Sequence, residues 1–199
     1  MRLGSDRMPE ELIRSAPETN IHDFFRDNNN YFDDLEKAAE RLAEEEPRAV
    51  DEIQHTLKQR LKQKHGFAIN VRAVEDMGDA LRVFDNKRRS IELSEALDYQ
   101  NRTFQLAHIL CFLEHQDIIE SIMDKASFLS RRSLDRCRVE LANYFAAAFL
   151  MPYEAFLTRA TETRYDVDRL ASTFLVSYEQ ASQRLTTLQR DGRRGVPFF

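Results

Sequence analysis

The spacing of the apolar residues changes between residues 67 and 94, and this change constrains the fold most. Outside this stretch, apolar residues recur at the spacing of amphipathic helices. Within it, Phe67, Ile69 and Val71 alternate with neighbours on the other face, and two more short segments, 81–84 and 90–94, follow turn-forming sequences. The pattern predicts an α+β, predominantly helical fold, with helices packed on a small three-stranded antiparallel sheet.

Glycine and proline are scarce, and this scarcity supports a helical fold. The chain has 5 of each among 199 residues, too few for the turns of a β-sandwich or barrel. No apolar run approaches the roughly 18 residues of a membrane span, and the first residues lack the apolar segment of a secretory signal. Two cysteines cannot form a disulfide scaffold, so we expect a cytoplasmic protein.

Acidic charge is concentrated near the amino terminus. Residues 1–50 contain 13 acidic and 7 basic residues, and the whole chain has a formal net charge of −5, so the remainder is almost neutral. This distribution argues against a dedicated nucleic-acid-binding domain, which would be strongly basic. We divide the chain into residues 1–47, a polar leader or linker with an amphipathic helix, and residues 48–199, the main domain.

A seam of heptad-like spacing begins at Ile21, and Asn20 is its expected N-cap. Its members recur at alternating spacings of four and three: Ile21, Phe25, Asn28, Phe32, Leu35, Ala39 and Leu42. Two interpretations are open. The helix packs on its own domain, or it is a dimer helix in which Phe25, Phe32 and Leu35 face a second copy and Asn28 fixes the register. The second interpretation predicts a homodimer or a higher homo-oligomer.

The segment with the most chemical information surrounds His108. A zinc-peptidase helix carries histidines at i and i+4, which reach one metal ion from consecutive turns, and a glutamate at i+1, which deprotonates the bound water. Here i+1 is Ile109 and i+4 is Phe112. A carboxylate on another predicted helix, Glu140, follows about thirty residues later.

A resemblance to a known family rests on FQLAH at 104–108 and ELANYFAAAFLMP at 140–152. Over roughly residues 50–190 the chain is similar to the ImmA/IrrE metallopeptidase-like family. In that family two histidines and two glutamates form the metal site, and only His108 and Glu140 match them. The resemblance implies a zincin-like core in which Ile109 and Phe112 replace the catalytic glutamate and the second histidine. We therefore predict neither an enzyme nor a metal site.

An alternative metal site uses other residues of the same helix. His108, Cys111 and His115 lie at i, i+3 and i+7 on one helix face, where they could bind a soft metal together with Glu140. His115 lies about 10 Å along the axis from His108, which strains a site for one metal ion. Without a metal, Cys111 acts as a small apolar residue.

Two more segments, 22–35 and 192–199, resemble the short-chain fatty acyl regulators (the ScfR, RamB and PrpR group). In that group an XRE-type helix-turn-helix precedes the core and a cysteine-containing domain follows it. The resemblance implies the ligand-sensing and oligomerising core of a bacterial transcription regulator. Its effector would be short-chain acyl-CoA, and it would contact DNA only through a domain missing here. We expect an excised piece of a longer protein, and the terminal Phe198 and Phe199 agree with this expectation. We expect neither a cofactor nor a membrane partner.

An acyl-CoA needs a pocket for its chain and cations for its phosphates. By its position, the candidate pocket is the cleft that would hold the catalytic site in a peptidase of this fold. The predicted lining residues are Phe104, His108, Cys111, Phe112, Glu140, Asn143 and Tyr144. The nearest basic clusters are Lys87, Arg88 and Arg89 in a predicted turn, and Arg131 and Arg132 at a helix end. Taken singly, each of these side chains resembles a solvated surface charge.

Residues 166–185 have the order of a helix-turn-helix. The would-be recognition helix, 177–190, carries a net charge of only +1, less than phosphate anchoring usually requires, so we expect it to pack within the domain. Two other functions remain open. The chain could be a ligand-free interaction or dimerisation module, or an atypical zinc peptidase.

Overall fold

The computed structural model describes residues 17–46, 49–124 and 130–196. Its helices and strands are α1 (Pro17–Asp27), α2 (Asp33–Glu45), α3 (Ile53–Gln63), β1 (Ala68–Arg72), α4 (Val74–Met77), β2 (Arg82–Asp85), β3 (Ser90–Ser94), α5 (Tyr99–Glu114), α6 (Gln116–Met123), α7 (Arg131–Leu150), α8 (Tyr153–Glu162), α9 (Val167–Phe174) and α10 (Tyr178–Thr186). The α+β, predominantly helical fold class is confirmed. No helix in the described ranges is long and apolar enough to cross a membrane.

Some expectations concern residues outside these ranges. They are the leader before residue 17, the end of the first region at Pro47, and the terminal Phe198 and Phe199. The sequence also predicts a helix over about 117–129, and residues 125–129 of it lie outside the described ranges.

The N-terminal amphipathic segment forms two helices, so the prediction of one continuous helix is wrong. α1 begins at Pro17, before the expected cap at Asn20, and ends at Asp27. Asn29 and Asn30 then adopt left-handed backbone conformations, with φ of 53° and 51°. Asparagine tolerates this region better than most residues, so the chain turns here while the heptad spacing continues.

The predicted seam packs inside the same chain. Phe32 and Leu35 are buried in the core, and α2, which begins directly after Phe32, packs against α7. Phe25 is half-buried, while Asn28 is exposed and donates from Nδ2 to the Phe24 carbonyl at 2.8 Å. These four residues therefore do not form one continuous face for a second copy. An oligomer in solution remains a prediction, but without this seam as its basis.

The three predicted strands are present, but they form a mixed sheet rather than an antiparallel meander. The strand order is β1-β3-β2, with β1 parallel to β3 and β2 antiparallel to it. After β1, the short helix α4 leads the chain to the edge strand β2. The next strand, β3, then lies at the centre of the sheet, between β1 and β2. β3 holds the fully buried Ile91 and Leu93. At the edge, Nη1 of Arg82 donates to Oε1 of Gln105 at 2.7 Å, which ties β2 to α5.

Two long helices, α5 and α7, pack together, and α3 also packs against α5. α7 begins at Arg131 because the hydroxyl of Ser130 accepts the backbone N–H of Ser133 at 3.1 Å, so Arg131 and Arg132, expected at a helix end, lie in the first turn of the helix. Buried residues of the two helices, including Leu106 and Phe145, contribute to the core. The packing of α5 on α7 brings His108 close to Asn143.

The C-terminal helices have the predicted helix-turn-helix order, and they pack within the domain. Leu175 ends α9 in the left-handed conformation, and Ser177 and Gln180 form a reciprocal capping box at the start of α10. α10 contacts both α9 and α7. Arg184, a basic residue of the would-be recognition helix, is fully buried. It is therefore not on a surface that could contact DNA.

Candidate functional site

His108 and Glu140, the two residues that the resemblance relates to a metal site, are linked through Asn143. The Nδ2 group of Asn143 donates to Oε2 of Glu140 at 3.2 Å, and its Oδ1 lies 2.8 Å from Nδ1 of His108. Because that oxygen can only accept, the imidazole donates from Nδ1 and keeps its lone pair on Nε2. This Nε2 is buried without a hydrogen-bond partner in the described residues. The Asn143 amide therefore stands between the His108 imidazole and the Glu140 carboxylate.

The imidazole of His108 is held in its neutral form. Burial and, secondarily, the nearby charge of Arg82 lower the pKa of His108 to about 4, although the hydrogen bond with Asn143 opposes both effects. Ile109 is buried beside it, and the Phe112 ring centroid lies 5.1 Å from that of the imidazole. At neutral pH, His108 is therefore an uncharged side chain beside Phe112 and Asn143.

The alternative metal-ligand set does not converge. Within residues 17–46, 49–124 and 130–196, no three histidine, cysteine, aspartate or glutamate side chains are placed to share a metal ion. α5 ends at Glu114, so His115 lies beyond the helical face that carries His108 and Cys111. Burial raises the pKa of the Cys111 thiol and lowers the pKa of His115. Cys111 is therefore a protonated core residue.

A cavity of about 390 Å³ opens beside this group, between α1, α7 and α10. Its lining residues are Ile21, His22, Phe25, Asn30, Arg136, Glu140, Asn143, Tyr144, Ala147, Gln183, Arg184, Thr186 and Thr187. The volume lies within the range of small-molecule sites. We call this cavity the arm pocket, because the N-terminal arm α1 supplies one of its walls.

Three of the seven predicted pocket residues line the arm pocket: Glu140, Asn143 and Tyr144. The other four, Phe104, His108, Cys111 and Phe112, are not among its lining residues. Phe25, predicted for a dimer helix, lies in the wall instead. Sequence spacing could have identified Arg136 and Ala147, which continue the α7 face of Glu140 and Asn143. No sequence signal pointed to α10, because the arm and α10 meet only in the folded chain.

Two lining residues of the arm pocket, Tyr144 and Arg184, hydrogen-bond to the buried carboxylate of Glu36. Nη2 of Arg184 donates to Oε2 of Glu36 at 2.9 Å, and the hydroxyl of Tyr144 donates to Oε1 of Glu36 at 2.7 Å. The same hydroxyl accepts the backbone N–H of Phe32 at 3.2 Å. Burial raises the pKa of Tyr144. This group of three side chains is therefore polar, hydrogen-bonded and without net charge.

The four candidate phosphate-binding arginines do not line the arm pocket. Arg88 and Arg89 lie in the turn between β2 and β3, where Arg88 is 3.8 Å from Asp85 and the Arg89 guanidinium lies 5.2 Å from the Phe67 ring centroid. Arg131 and Arg132 are exposed in the first turn of α7. Arg136, one turn further along α7, is the exposed arginine of the pocket lining.

Residues 62–186, from the last turn of α3 to the end of α10, match the peptidase M78 family, described as the IrrE N-terminal-like domain. The chain belongs to this family. The expected ImmA/IrrE resemblance over roughly residues 50–190 is confirmed. The arm α1 and the following helix α2 precede the region matched by the family.

This IrrE-like chain is similar to proteins named as transcription regulators. It is 38% identical over 196 residues to the HTH-type transcriptional regulator RamB of Mycobacterium tuberculosis, an alignment that covers 98% of this chain and 39% of RamB. It is 34% identical over 197 residues to the propionyl-CoA carboxylase regulator of Cereibacter sphaeroides, covering 99% of this chain and 40% of that protein. For the HTH-type transcriptional regulator PrpR of M. tuberculosis, the identity is 36% over 187 residues, and the coverages are 94% and 38%.

A solved structure has the same fold. The Mycobacterium tuberculosis transcriptional regulator superposes with a TM-score of 0.86 at 34% sequence identity, over 92% of this chain and 55% of that one. The chain thus spans about two fifths of the length of its curated relatives. The predicted similarity to the RamB and PrpR group is confirmed.

Proposed function

We propose that this IrrE-like chain is the effector-binding domain of a bacterial transcription regulator and that the arm pocket is its effector site. The observation that carries the proposal is the position of the pocket. It lies between the family core and the arm α1, in a chain whose relatives are named as transcription regulators. A ligand there would contact both parts, so binding would stabilise one arrangement of the arm.

The proposed effector is a short-chain acyl-CoA. Ile21, Phe25 and Ala147 supply apolar surface for a short acyl chain, and the Asn143 amide supplies polar groups for a thioester carbonyl. One relative is named as a propionyl-CoA carboxylase regulator, which suggests propionyl-CoA as the first ligand to test. DNA would be contacted through a helix-turn-helix outside this chain, as the names of RamB and PrpR suggest for those proteins. A cytoplasmic location belongs to the same proposal.

The chain is proposed to have no peptidase activity. Catalysis by a zinc peptidase needs a metal-bound water and a general base beside it. Ile109 and Phe112 occupy the positions of the base and of the second histidine, and the remaining pair, His108 and Glu140, is separated by Asn143. Zinc analysis tests this. One tightly bound zinc per chain that is lost in His108→Ala would refute it.

Ligand-induced stabilisation tests the effector proposal. A ligand that binds only the folded state raises the free energy of unfolding of the protein. At a propionyl-CoA concentration 100 times Kd, we expect Tm to rise by roughly 5–10 °C. Acetyl- and butyryl-CoA would rank the chain lengths. If millimolar acyl-CoA leaves Tm unchanged, the proposal is wrong.

A matched pair of variants locates the binding site. Ala147→Leu fills space in the arm pocket, and we expect it to remove the ligand-induced shift while leaving the unliganded protein folded. Ala155→Leu makes the same change at an exposed position of α8 and should leave the shift intact. Equal shifts in both variants would place the ligand elsewhere.

A further inference from the structure

The outer side of β2 is a free edge of the sheet. Within the described ranges, β2 pairs only with β3. The backbone N–H of Ser94 donates to the carbonyl of Leu81 at 3.0 Å. Because hydrogen-bonded and non-bonded pairs alternate along an antiparallel ladder, Val83 also bonds toward β3, whereas the backbone groups of Arg82 and Phe84 point away from the sheet. An edge of this kind can accept a further strand.

Large apolar side chains are exposed along the same edge. Leu81 is 53% exposed, Val83 43% and Phe84 41%. Proteins usually protect an edge strand with charged side chains, a proline or a covering segment, because an unpaired apolar edge associates with other chains. The single charged residue among positions 81–84 is Arg82, whose Nη1 donates to Gln105 on α5. This edge is therefore suited to pairing with another strand.

The two ends of β2 carry opposite charges. Residues 75–79, which precede the strand, include three exposed acidic side chains, and residues 87–89, which follow it, are three exposed basic ones. Some of these side chains pair with nearby residues of their own chain. Asp79 and Lys87, one from each group, form no ion pair with any residue that the structure describes. β2 thus has an acidic end and a basic end, and each retains an unpaired charge.

We infer that two copies of this chain associate through antiparallel pairing of their β2 strands about a twofold axis. Such an axis brings the same surface of both copies together, so the surface must be complementary to itself. The antiparallel direction meets this condition, because the acidic end of each strand lies beside the basic end of the other. A parallel direction would bring like charges together. The two three-stranded sheets become one continuous sheet, and this interface is independent of the arm pocket and its ligand.

The backbone groups that point outward determine the register. All of them are paired when Arg82 of one copy lies opposite Phe84 of the other, since the two residues of such a pair exchange two hydrogen bonds. The axis then passes between the two copies of Val83, whose side chains pack against each other on the outer face. Beyond the strand ends, the same register brings Lys87 near Asp79 of the second copy. The two unpaired charges thereby meet, once on each side of the axis.

Sedimentation velocity of the 199-residue chain over a range of concentrations tests the association. The wild type should show a monomer–dimer equilibrium. Val83→Lys places two ammonium groups next to each other at the axis, and we expect it to raise the dissociation constant at least about tenfold. Val139→Lys makes the same change at an exposed position of α7 and should leave the equilibrium as in the wild type.

Charge exchange tests the direction and the register. Lys87→Glu and Asp79→Lys each bring like charges together on both sides of the axis, so each should weaken the dimer by roughly threefold to tenfold. An equal mixture of these two variants should associate about as well as the wild type, because each copy then supplies the charge that the other lacks. Lys62→Glu alters the net charge as Lys87→Glu does, but on α3, and should not weaken the dimer.

Amide hydrogen exchange followed by NMR locates the contact. The N–H groups of Arg82 and Phe84 should exchange more slowly at concentrations where the dimer forms, whereas that of Val83, already bonded to β3, should change less. A chain that remains monomeric at all concentrations overturns the inference. A dimer that tolerates Val83→Lys, or whose charge-exchange mixture does not recover association, overturns it as well, because the interface then lies elsewhere. Circular dichroism of each variant controls for folding.

Discussion

The guanidinium of Arg184 and the carboxylate of Glu36 meet through two parallel hydrogen bonds, with Nη1 2.5 Å from Oε1 and Nη2 2.9 Å from Oε2. Both residues are fully buried, and they join α10 to α2. Nε of Arg184 also donates to the carbonyl of Met151 at 3.0 Å, so the guanidinium has partners on three of its edges. The ion pair therefore holds α2, the helix that follows the arm, in a fixed position relative to α10.

Removing one member of this pair should destabilise the fold strongly. Arg184→Leu leaves the Glu36 charge buried, and we expect the free energy of unfolding to fall by about 3–5 kcal/mol in urea denaturation. The double variant Glu36→Leu with Arg184→Leu should recover most of this loss, since no buried charge remains. A double variant no more stable than Arg184→Leu would contradict this account. Arg26→Leu, which breaks an exposed pair with Asp23, serves as the control.

Phe32 is expected to act in folding rather than in dimer formation. Its ring lies 5.0 Å from that of Phe25 and 5.2 Å from that of Tyr144, measured between centroids, and it is only 4% exposed. Phe32→Ala should therefore lower the free energy of unfolding by about 3–5 kcal/mol. Tyr178→Ala removes an aromatic ring that is 58% exposed and should change it by less than about 0.5 kcal/mol. Equal effects in thermal unfolding would contradict the buried position of Phe32.

Glu114 at the end of α5 should make stability depend on acid pH. Its carboxylate oxygens lie 2.7 Å from Nη2 of Arg60, 3.0 Å from Nζ of Lys64 and 2.7 Å from Nε2 of His65. Burial by itself raises the pKa of this carboxyl, but hydrogen bonds from Arg60, His65 and Lys64 outweigh burial and lower the pKa from 4.5 to about 2. The resulting stabilisation is complete above about pH 4.5 and is lost as the pH falls toward 2.

Glu114→Gln isolates this contribution. Urea denaturation should show a loss of about 2 kcal/mol relative to wild type at pH 7, and a much smaller difference near pH 2.5. Glu75→Gln, at an exposed position of α4, should show no such convergence. A difference between wild type and Glu114→Gln that is constant with pH would argue against the lowered pKa.

His108 should remain neutral far below the pH at which an ordinary histidine becomes charged. Burial, reinforced by Arg82, lowers its pKa to about 4 from the usual 6.5. The unfolded chain therefore binds this proton first, and stability should fall as the pH decreases from about 6.5 to about 4. In an NMR titration, the His108 ring protons should shift only near pH 4, with the exposed His55 as a second resonance in the same spectra. A midpoint near 6.5 would show that His108 is solvated.

Local sequence patterns predicted the elements well, because spacing and capping are encoded within a few residues. They placed the strands near β1, β2 and β3 and the helices near α5, α7 and α10. They did not reveal the break after Asp27, since Asn29 and Asn30 enter the left-handed region without any change in the heptad spacing. They also did not reveal the order of the strands, because a meander and a crossover contain the same three alternating segments.

The candidate site was predictable only on the face of α7. Glu140, Asn143 and Tyr144 come from one helix, so their spacing alone places them together. The remaining walls come from α1 and α10, and α10 is held in place by a buried arginine that resembles a surface residue in the sequence. Arg184 shows the physical reason. Its environment is set by Glu36, 148 positions earlier in the chain.

The arm wall of the pocket has a consequence for the whole domain. Asn30 lines the pocket and donates from Nδ2 to Oγ1 of Thr186 at 2.7 Å, so the turn after α1 is bonded across to the end of α10. A ligand that requires this wall binds more tightly when α1 is docked, and by thermodynamic reciprocity it must favour docking of α1 by the same factor. Because Ile21 and Phe25 belong to this wall, the fraction of molecules in which α1 is docked would increase with the occupancy of the arm pocket. That fraction would therefore follow the concentration of the effector.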